Sequence, residues 1–186
     1  MQRCGWVTQD PLYLTYHDTE WGVPQTDKRA LFEMLCLEGQ QAGLSWITVL
    51  KKRANYQRAF HQFEPSIVAQ MDEQDLDRLM QDSGLIRHRA KLAAIMTNAR
   101  AYQAMEANGE DFSRFIWEFV HHTPILHNYA DYKLAPTTSE PAIALSKALK
   151  KRGFKFIGPT ICHSFMQACG LINDHQTDCF CHPAHQ

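Results

Sequence analysis

Apolar positions recur at helical spacing along most of the chain. Asp27 can cap a helix over 27–38, in which Leu31, Met34, Leu35 and Leu37 mark the buried face. GQQAG at 39–43 breaks that pattern. Ile47, Leu50 and Tyr56 resume it as a second helix running from Ser45 toward Phe60. After Pro65, the pair Asp72 and Asp75 resembles a capping box ahead of Leu76, Leu79 and Met80, and Gly84 is placed to end that helix. Leu92, Ile95, Met96, Ala99 and Tyr102 form a stripe that predicts a helix over 87–106, with Gly109 as its stop. Ser113 is the candidate cap of a short helix burying Phe115, Ile116, Phe119 and Val120.

The stretch 121–141 reads as the longest loop, because Pro124, Pro136 and Pro141 break any period. Two further helices follow, over 142–152 and 159–169, joined by GFKFIG. No stretch sustains the period-two alternation of a strand. The expectation is a single all-α domain over 1–186.

Composition narrows the class. A chain of 186 residues buries a sizeable core without disulfide staples. Hydrophobic residues at 45% and charged residues at 21% exclude disordered and collagenous chains. No apolar run approaches the ~18 residues of a membrane span, and MQRCGWVTQD lacks the apolar stretch of a signal peptide. A cytoplasmic protein with no membrane partner is expected. The formal charge of −1 excludes a globally basic coat but leaves room for a local basic patch. Six cysteines in a reducing compartment point to metal binding or burial rather than three disulfides.

Candidate metal ligands sit at both ends. Cys4 and His17 lie near the N-terminus, and His175 and Cys179 near the C-terminus with H-x3-C spacing. On a helical turn that spacing would aim both side chains at one ion. A Cys2His2 set is closed and tetrahedral, which is the pattern of structural rather than catalytic zinc. Cys181, His182 and His185 compete for the same role, and spacing alone does not choose among them.

The N-terminal part also concentrates aromatics: Trp6, Tyr13, Tyr16, Trp21 and Trp46. Together they suit a flat-walled pocket for a planar ligand, although any one of them could be ordinary core. Glu38 falls among Leu35, Leu37 and Leu44. There it could accept hydrogen bonds from a ring N–H and attract a cationic ring, or be a solvated helix end.

The segment KALKKRGFKFIGPTIC (147–162) carries a third signal. Gly153 can end one helix in the left-handed conformation, Gly158 permits close backbone approach, and Pro159 opens the next helix. Lys147, Lys150, Lys151, Arg152 and Lys155 add five positive charges. This is a helix-hairpin-helix candidate, able to hold DNA phosphates without reading sequence; a solvated basic helix end is the plainer alternative. DSGLIRHRAK at 82–91 has a similar character with a single glycine.

Taken together, RCGWV, YHDTEWGVP, LFEMLCLEGQQAGLSWITVLKKR, GLIRHRAK and KRGFKFIGPTICHSFMQACGLINDH closely resemble the DNA-3-methyladenine glycosylase I family of bacterial base-excision repair. The resemblance runs from Cys4 to about Cys179. It implies a helix-hairpin-helix glycosylase fold with one structural zinc ion on Cys4, His17, His175 and Cys179. It implies that Glu38 and Tyr16 hydrogen-bond the extruded base as the catalytic pair. Trp46 would stack on that base, with Trp6, Tyr13 and Trp21 walling the pocket. Gly43 and Leu44 would enter the gap left in the duplex, and Lys150, Lys151, Gly153, Lys155, Gly158 and Thr160 would hold the backbone.

The activity so implied is monofunctional excision of 3-methyladenine from alkylated double-stranded DNA, giving the free base and an abasic site. Two departures stand out. The superfamily's usual Leu-x-Gly-x-Gly hairpin reads FKFIG, keeping only the last glycine. Asp174 and Asp178 fall near the place of the superfamily's essential aspartate but flank the metal-ligand candidates His175 and Cys179, which marks them as outer-sphere or surface residues. Two other classes compete with the enzyme reading. One is a zinc-stabilised DNA-binding module without activity, which would have no use for a carboxylate beside an aromatic cluster. The other is a hydrolase with catalytic zinc, which would need an open coordination position.

Overall fold

Asp10 starts the first helix: its carboxylate accepts the Leu12 amide at 3.0 Å, and Pro11 takes the first helical position, where no donor is needed. This computed structural model describes residues 1–41 and 43–186; Ala42, within the predicted 39–43 break, lies outside the described residues. Helix α1 (Pro11–Thr19) carries no apolar stripe and was not foreseen.

Helix α2 (Lys28–Gln41) begins as predicted, with Asp27 accepting the Ala30 amide at 2.8 Å. It does not stop at Glu38, as the pattern suggested, but continues through Gly39 and Gln40. Every residue over 31–40 is buried, and that packing overrides the poor helix propensity of Gly39. The Lys91 ammonium donates to the Gln40 carbonyl at 3.2 Å, satisfying one of the acceptors left at the helix end.

Helix α3 (Trp46–Ala59) follows Ser45 and packs on α2. A 3-10 turn (His61–Phe63) leads into the short α4 (Pro65–Val68) and then α5 (Glu73–Leu79), where both halves of the Asp72–Asp75 capping box form. Helix α5 ends before the predicted Gly84. That glycine sits in the next turn, where a Cβ would overlap the Asn55 amide. Helix α6 (Arg89–Ala107) matches its stripe, and Gly109 follows it at φ +80°.

Asp111, not Ser113, caps α7 (Phe112–Glu118), accepting the Arg114 amide at 2.8 Å. The chain after α7 is irregular except for β1 (Ile125–Leu126) and a 3-10 turn (Tyr132–Leu134). Helix α8 (Glu140–Lys151) starts earlier than predicted. Ser139 is its cap, and Pro141 lies in the first turn, which tolerates it. Helix α9 (Pro159–Ala168) precedes β2 (Ile172–Asn173), which pairs in parallel with β1, Ile125 opposite Ile172.

The protein is therefore mostly helical rather than strictly all-α. The two-residue pair is too short to leave a period-two signature, yet it ties the long loop to the C-terminal segment. Helix α2 is central, against α3, α6, α7 and α9. Residues of its C-terminal turn, of α1, of the start of α3 and of one face of α9 line one cavity, together with loop residues. No helix among the described residues is long and apolar enough to cross a membrane.

Candidate functional site

Cys4, His17, His175 and Cys179 are all buried, and their ligand atoms lie within 4.8 Å of one another. Cys4 Sγ is 3.4 Å from His175 Nδ1, and Cys179 Sγ is 3.5 Å from His17 Nε2 and 3.6 Å from His175 Nδ1. The remaining ring nitrogens are engaged outward. His17 Nδ1 lies 2.8 Å from Asp18, which Arg3 grips through two bonds, and His175 Nε2 lies 2.9 Å from the Trp21 carbonyl. Such outward bonds fix which nitrogen faces inward, the arrangement metal-binding histidines adopt.

Backbone amides of Gln176 and Cys181 point at the Cys4 and Cys179 sulfurs, each at 3.4 Å, as suits thiolate acceptors. Burial lowers the pKa of His175 to about 4, leaving its ring neutral, and pushes the Cys4 thiol well above its ordinary value, so a thiolate there calls for a cation beside it. His175 and Cys179 do not share a helical turn, as their spacing suggested; a tight turn closed by the Cys179 amide on the Gln176 carbonyl brings them together. Among the competing residues, His182 bonds Asn128 and His185 bonds the Thr177 carbonyl. Cys181 points at the carbonyls of His17 and Asp18.

Beside this group opens a cavity of about 290 Å³. All six residues assigned to the base pocket from sequence line it: Trp6, Tyr13, Tyr16, Trp21, Glu38 and Trp46. The rings form a continuous wall. Trp6 sits 5.0 Å from Trp21 and 5.1 Å from Tyr13, and Tyr16 sits 5.7 Å from Trp46. The indole N–H groups of Trp6 and Trp46 are buried without a partner among the described residues.

Glu38 is 4% exposed, and no hydrogen bond or charge from the described residues acts on its carboxyl. Burial alone pushes its pKa up to about 8. Burial, and secondarily Glu38, also raises the Tyr16 phenol well above its ordinary value, so Tyr16 keeps its proton and remains a donor. An aromatic box with spare donors and one uncompensated carboxyl suits a flat, positively charged ring.

The opposite wall was missed. Thr160, His163, Ser164 and Gln167 line it from α9, together with Asp174 and the segment around Pro136. The four α9 residues recur at helical spacing, a polar stripe legible in the sequence. Asp174, expected outside the site, is buried at the cavity wall, where it bonds His127 and Gln167 at 2.7 Å each. Asp178 is exposed.

The hairpin between α8 and α9 lies at the same end. Gly153 takes φ +90° and closes α8, with the Phe154 amide reaching back to the Leu149 carbonyl. Gly158 precedes α9, and a Cβ there would meet nothing within 4 Å. Lys150, Lys151 and Lys155 are exposed, with no ion pair among the described residues, and Thr160 is exposed at the cavity mouth. Arg152 does not join them: it pairs with Glu110 at 2.6 Å and lies over the Phe115 ring. Gly43, at φ +80°, and the 40% exposed Leu44 form the turn after α2. In the 82–91 segment, Lys91 is buried against α2 rather than offered to solvent.

Comparison with known proteins places this arrangement. The family model for methyladenine glycosylases matches residues 6–182. DNA-3-methyladenine glycosylase 1 of Escherichia coli (strain K12) is 63% identical over 186 residues, covering 100% of each chain. A crystal structure of 3-methyladenine DNA glycosylase I is 64% identical with a TM-score of 0.97, over 98% of this chain and 100% of that one. A tyrosine-to-phenylalanine variant of 3-methyladenine DNA glycosylase I, in complex with 3-methyladenine, is 45% identical with a TM-score of 0.92, over 100% of this chain and 98% of that one. Matched along nearly its whole length, the chain belongs to the methyladenine glycosylase family.

Proposed function

We propose that this protein is a monofunctional DNA glycosylase that flips 3-methyladenine out of alkylated duplex DNA and hydrolyses its bond to deoxyribose. The observation that carries the reading is the buried Glu38 carboxyl, which has no partner among the described residues, inside an aromatic box. 3-Methyladenine attached to deoxyribose is cationic, so its sugar bond is already weakened. Its charge compensates Glu38 as a carboxylate, and the Trp46 and Tyr16 faces favour the same cation.

Glu38 and Tyr16 hydrogen-bond the base, Trp46 stacks on it, and Trp6, Tyr13 and Trp21 complete the walls. A damaged base costs less to extrude, which contributes to selectivity. Water then adds to C1′ as the C1′–N9 bond breaks. The electron pair stays with the base, which leaves neutral, and the water proton passes to solvent. Catalysis is mainly stabilisation of that transition state. No lysine is among the residues lining the cavity, so no covalent amine intermediate, and no strand cleavage, is expected.

Cys4, His17, His175 and Cys179 would hold one zinc ion. Two thiolates and two imidazoles fit a closed tetrahedral site whose role is to pin both chain ends. Helices α8 and α9 with their hairpin act as a helix-hairpin-helix element, in which Lys150, Lys151, Gly153, Lys155, Gly158 and Thr160 hold the DNA backbone. Gly43 and Leu44 fill the space the base vacates. The protein works on DNA in the bacterial cytoplasm. A DNA-binding module without activity would account for the lysines and the Cys/His group, but not for Glu38.

The test is chromatography of bases released from methylated duplex DNA by the wild type and by Glu38→Ala. Selective release of 3-methyladenine without strand breaks, reduced in the variant, is the expected result. No release by folded, zinc-loaded protein would overturn the enzyme reading and leave the module.

A further inference from the structure

Two residues that local propensity disfavours meet at one point beside the pocket. Gly39 lies inside α2, where glycine is a poor helix former. Phe156 takes φ +53°, a left-handed angle that bulky side chains avoid, at the hairpin position where the superfamily pattern has a glycine. A Cβ on Gly39 would come 3.0 Å from the Phe156 carbonyl oxygen and 3.4 Å from the Phe156 Cβ. The bare glycine is what lets the hairpin backbone lie on α2.

Both neighbours of Phe156 are clamped. Asn98 donates to the Lys155 carbonyl at 3.2 Å and accepts the Lys155 amide at 2.8 Å. The Ser146 hydroxyl donates to the Ile157 carbonyl at 2.7 Å. The Phe156 ring itself is partly exposed, its centre 6.2 Å from that of His88. Gly39 directly follows Glu38, and Phe156 directly follows Lys155. This close backbone approach thus links the residue after the pocket carboxyl to the residue after a hairpin lysine. Backbone conformations held against their preference by surrounding structure cluster where function requires them.

We propose that the Gly39–Phe156 contact is a positioning device, through which seating of the hairpin on DNA fixes where the Glu38 carboxyl stands in the pocket. Phe156 acts through Gly39 and touches no reacting atom. The inference rests on the glycosylase reading above.

It is tested with Gly39→Ala and Phe156→Gly in zinc-loaded full-length protein. Single-turnover excision of 3-methyladenine at saturating enzyme, affinity for the same duplex, and thermal midpoint are each compared with wild type. Alanine improves the helix locally and glycine suits the φ of residue 156, so neither change removes a favourable local conformation. The expected result is an excision rate at saturation lowered about tenfold or more, with duplex affinity within about threefold. If one variant does not fold, the other decides. Wild-type excision by a folded variant, or a loss confined to duplex affinity, overturns the proposal. Absence of base release in the wild-type control overturns the glycosylase reading itself and is thereby distinguished.

Discussion

Glu33 and Glu38 lie on the same buried helix, yet among the described residues Glu33 has side-chain partners and the Glu38 carboxyl has none. Arg53 donates to Glu33 at 2.8 Å and Gln57 donates at 2.9 Å, making it a compensated charge of the interior. Glu38 lines the cavity instead, and burial raises its pKa to about 8. In the ligand-free protein it holds a proton at neutral pH, and a cation stacked beside it would draw it into the ionised form. A cationic ligand would supply the charge that the described residues around Glu38 do not.

That shift makes a prediction about stability. A carboxyl whose pKa is raised on folding contributes stability that is fully present below its unfolded value, near 4.5, and lost as pH rises through about 8. Glu38→Gln abolishes the titration. Urea unfolding across that window should show the wild type losing stability relative to Glu38→Gln, by a few kcal/mol at most from end to end. Parallel curves would mean that Glu38 is hydrated in solution.

Stacking on Trp46 can be weighed separately from the carboxylate. Base–aromatic stacking contributes about 1–3 kcal/mol per base, so Trp46→Ala should weaken binding of free 3-methyladenine by roughly 5- to 150-fold in a calorimetric titration. Trp46→Phe should lie between the two. Equal affinities for all three proteins would place the base against another wall of the cavity.

The helices that bury an apolar stripe, α2, α3, α6, α8 and α9, were legible because burial enforces their period. So was the aromatic wall, since residues of one type crowded into one segment share a neighbourhood once α1 and α2 pack. Helix α1 was illegible, for its residues serve the cavity and the Cys/His group rather than a core stripe. The end of α2 was misplaced because Gly39 reads locally as a breaker while tertiary burial holds it helical. The stripe of Thr160, His163, Ser164 and Gln167 was present in the sequence, but polar residues at helical spacing ordinarily mark a solvated face. Only the loop around Pro136 and the burial of Asp174 reveal that it faces a cavity.

Metal removal separates a structural site from a catalytic one. Metal analysis should find one zinc ion per chain. Chelation, or Cys179→Ser, should lower the thermal midpoint by about 10 °C or more, with excision lost only as the protein unfolds. Asp18→Asn leaves all four candidate ligands in place but removes the charge behind His17, and should weaken zinc affinity at least about tenfold. Excision that disappears at full foldedness, in step with the metal, would instead indicate that zinc takes part in the chemistry.

The basic hairpin makes its own prediction through salt. Each phosphate neutralised by a lysine contributes about 0.9 to the slope of log affinity against log salt. Lys150→Ala with Lys151→Ala should weaken binding to every duplex alike and flatten that slope by about 1.8, leaving the preference for the methylated base intact. Arg152 is the internal contrast. It stands next to Lys151, but its guanidinium is committed to Glu110 and to the Phe115 ring. Arg152→Ala should therefore lower the thermal midpoint while changing the salt slope little. The reverse pattern, a slope that follows Arg152 and ignores the two lysines, would move the phosphate grip to the other face of α8.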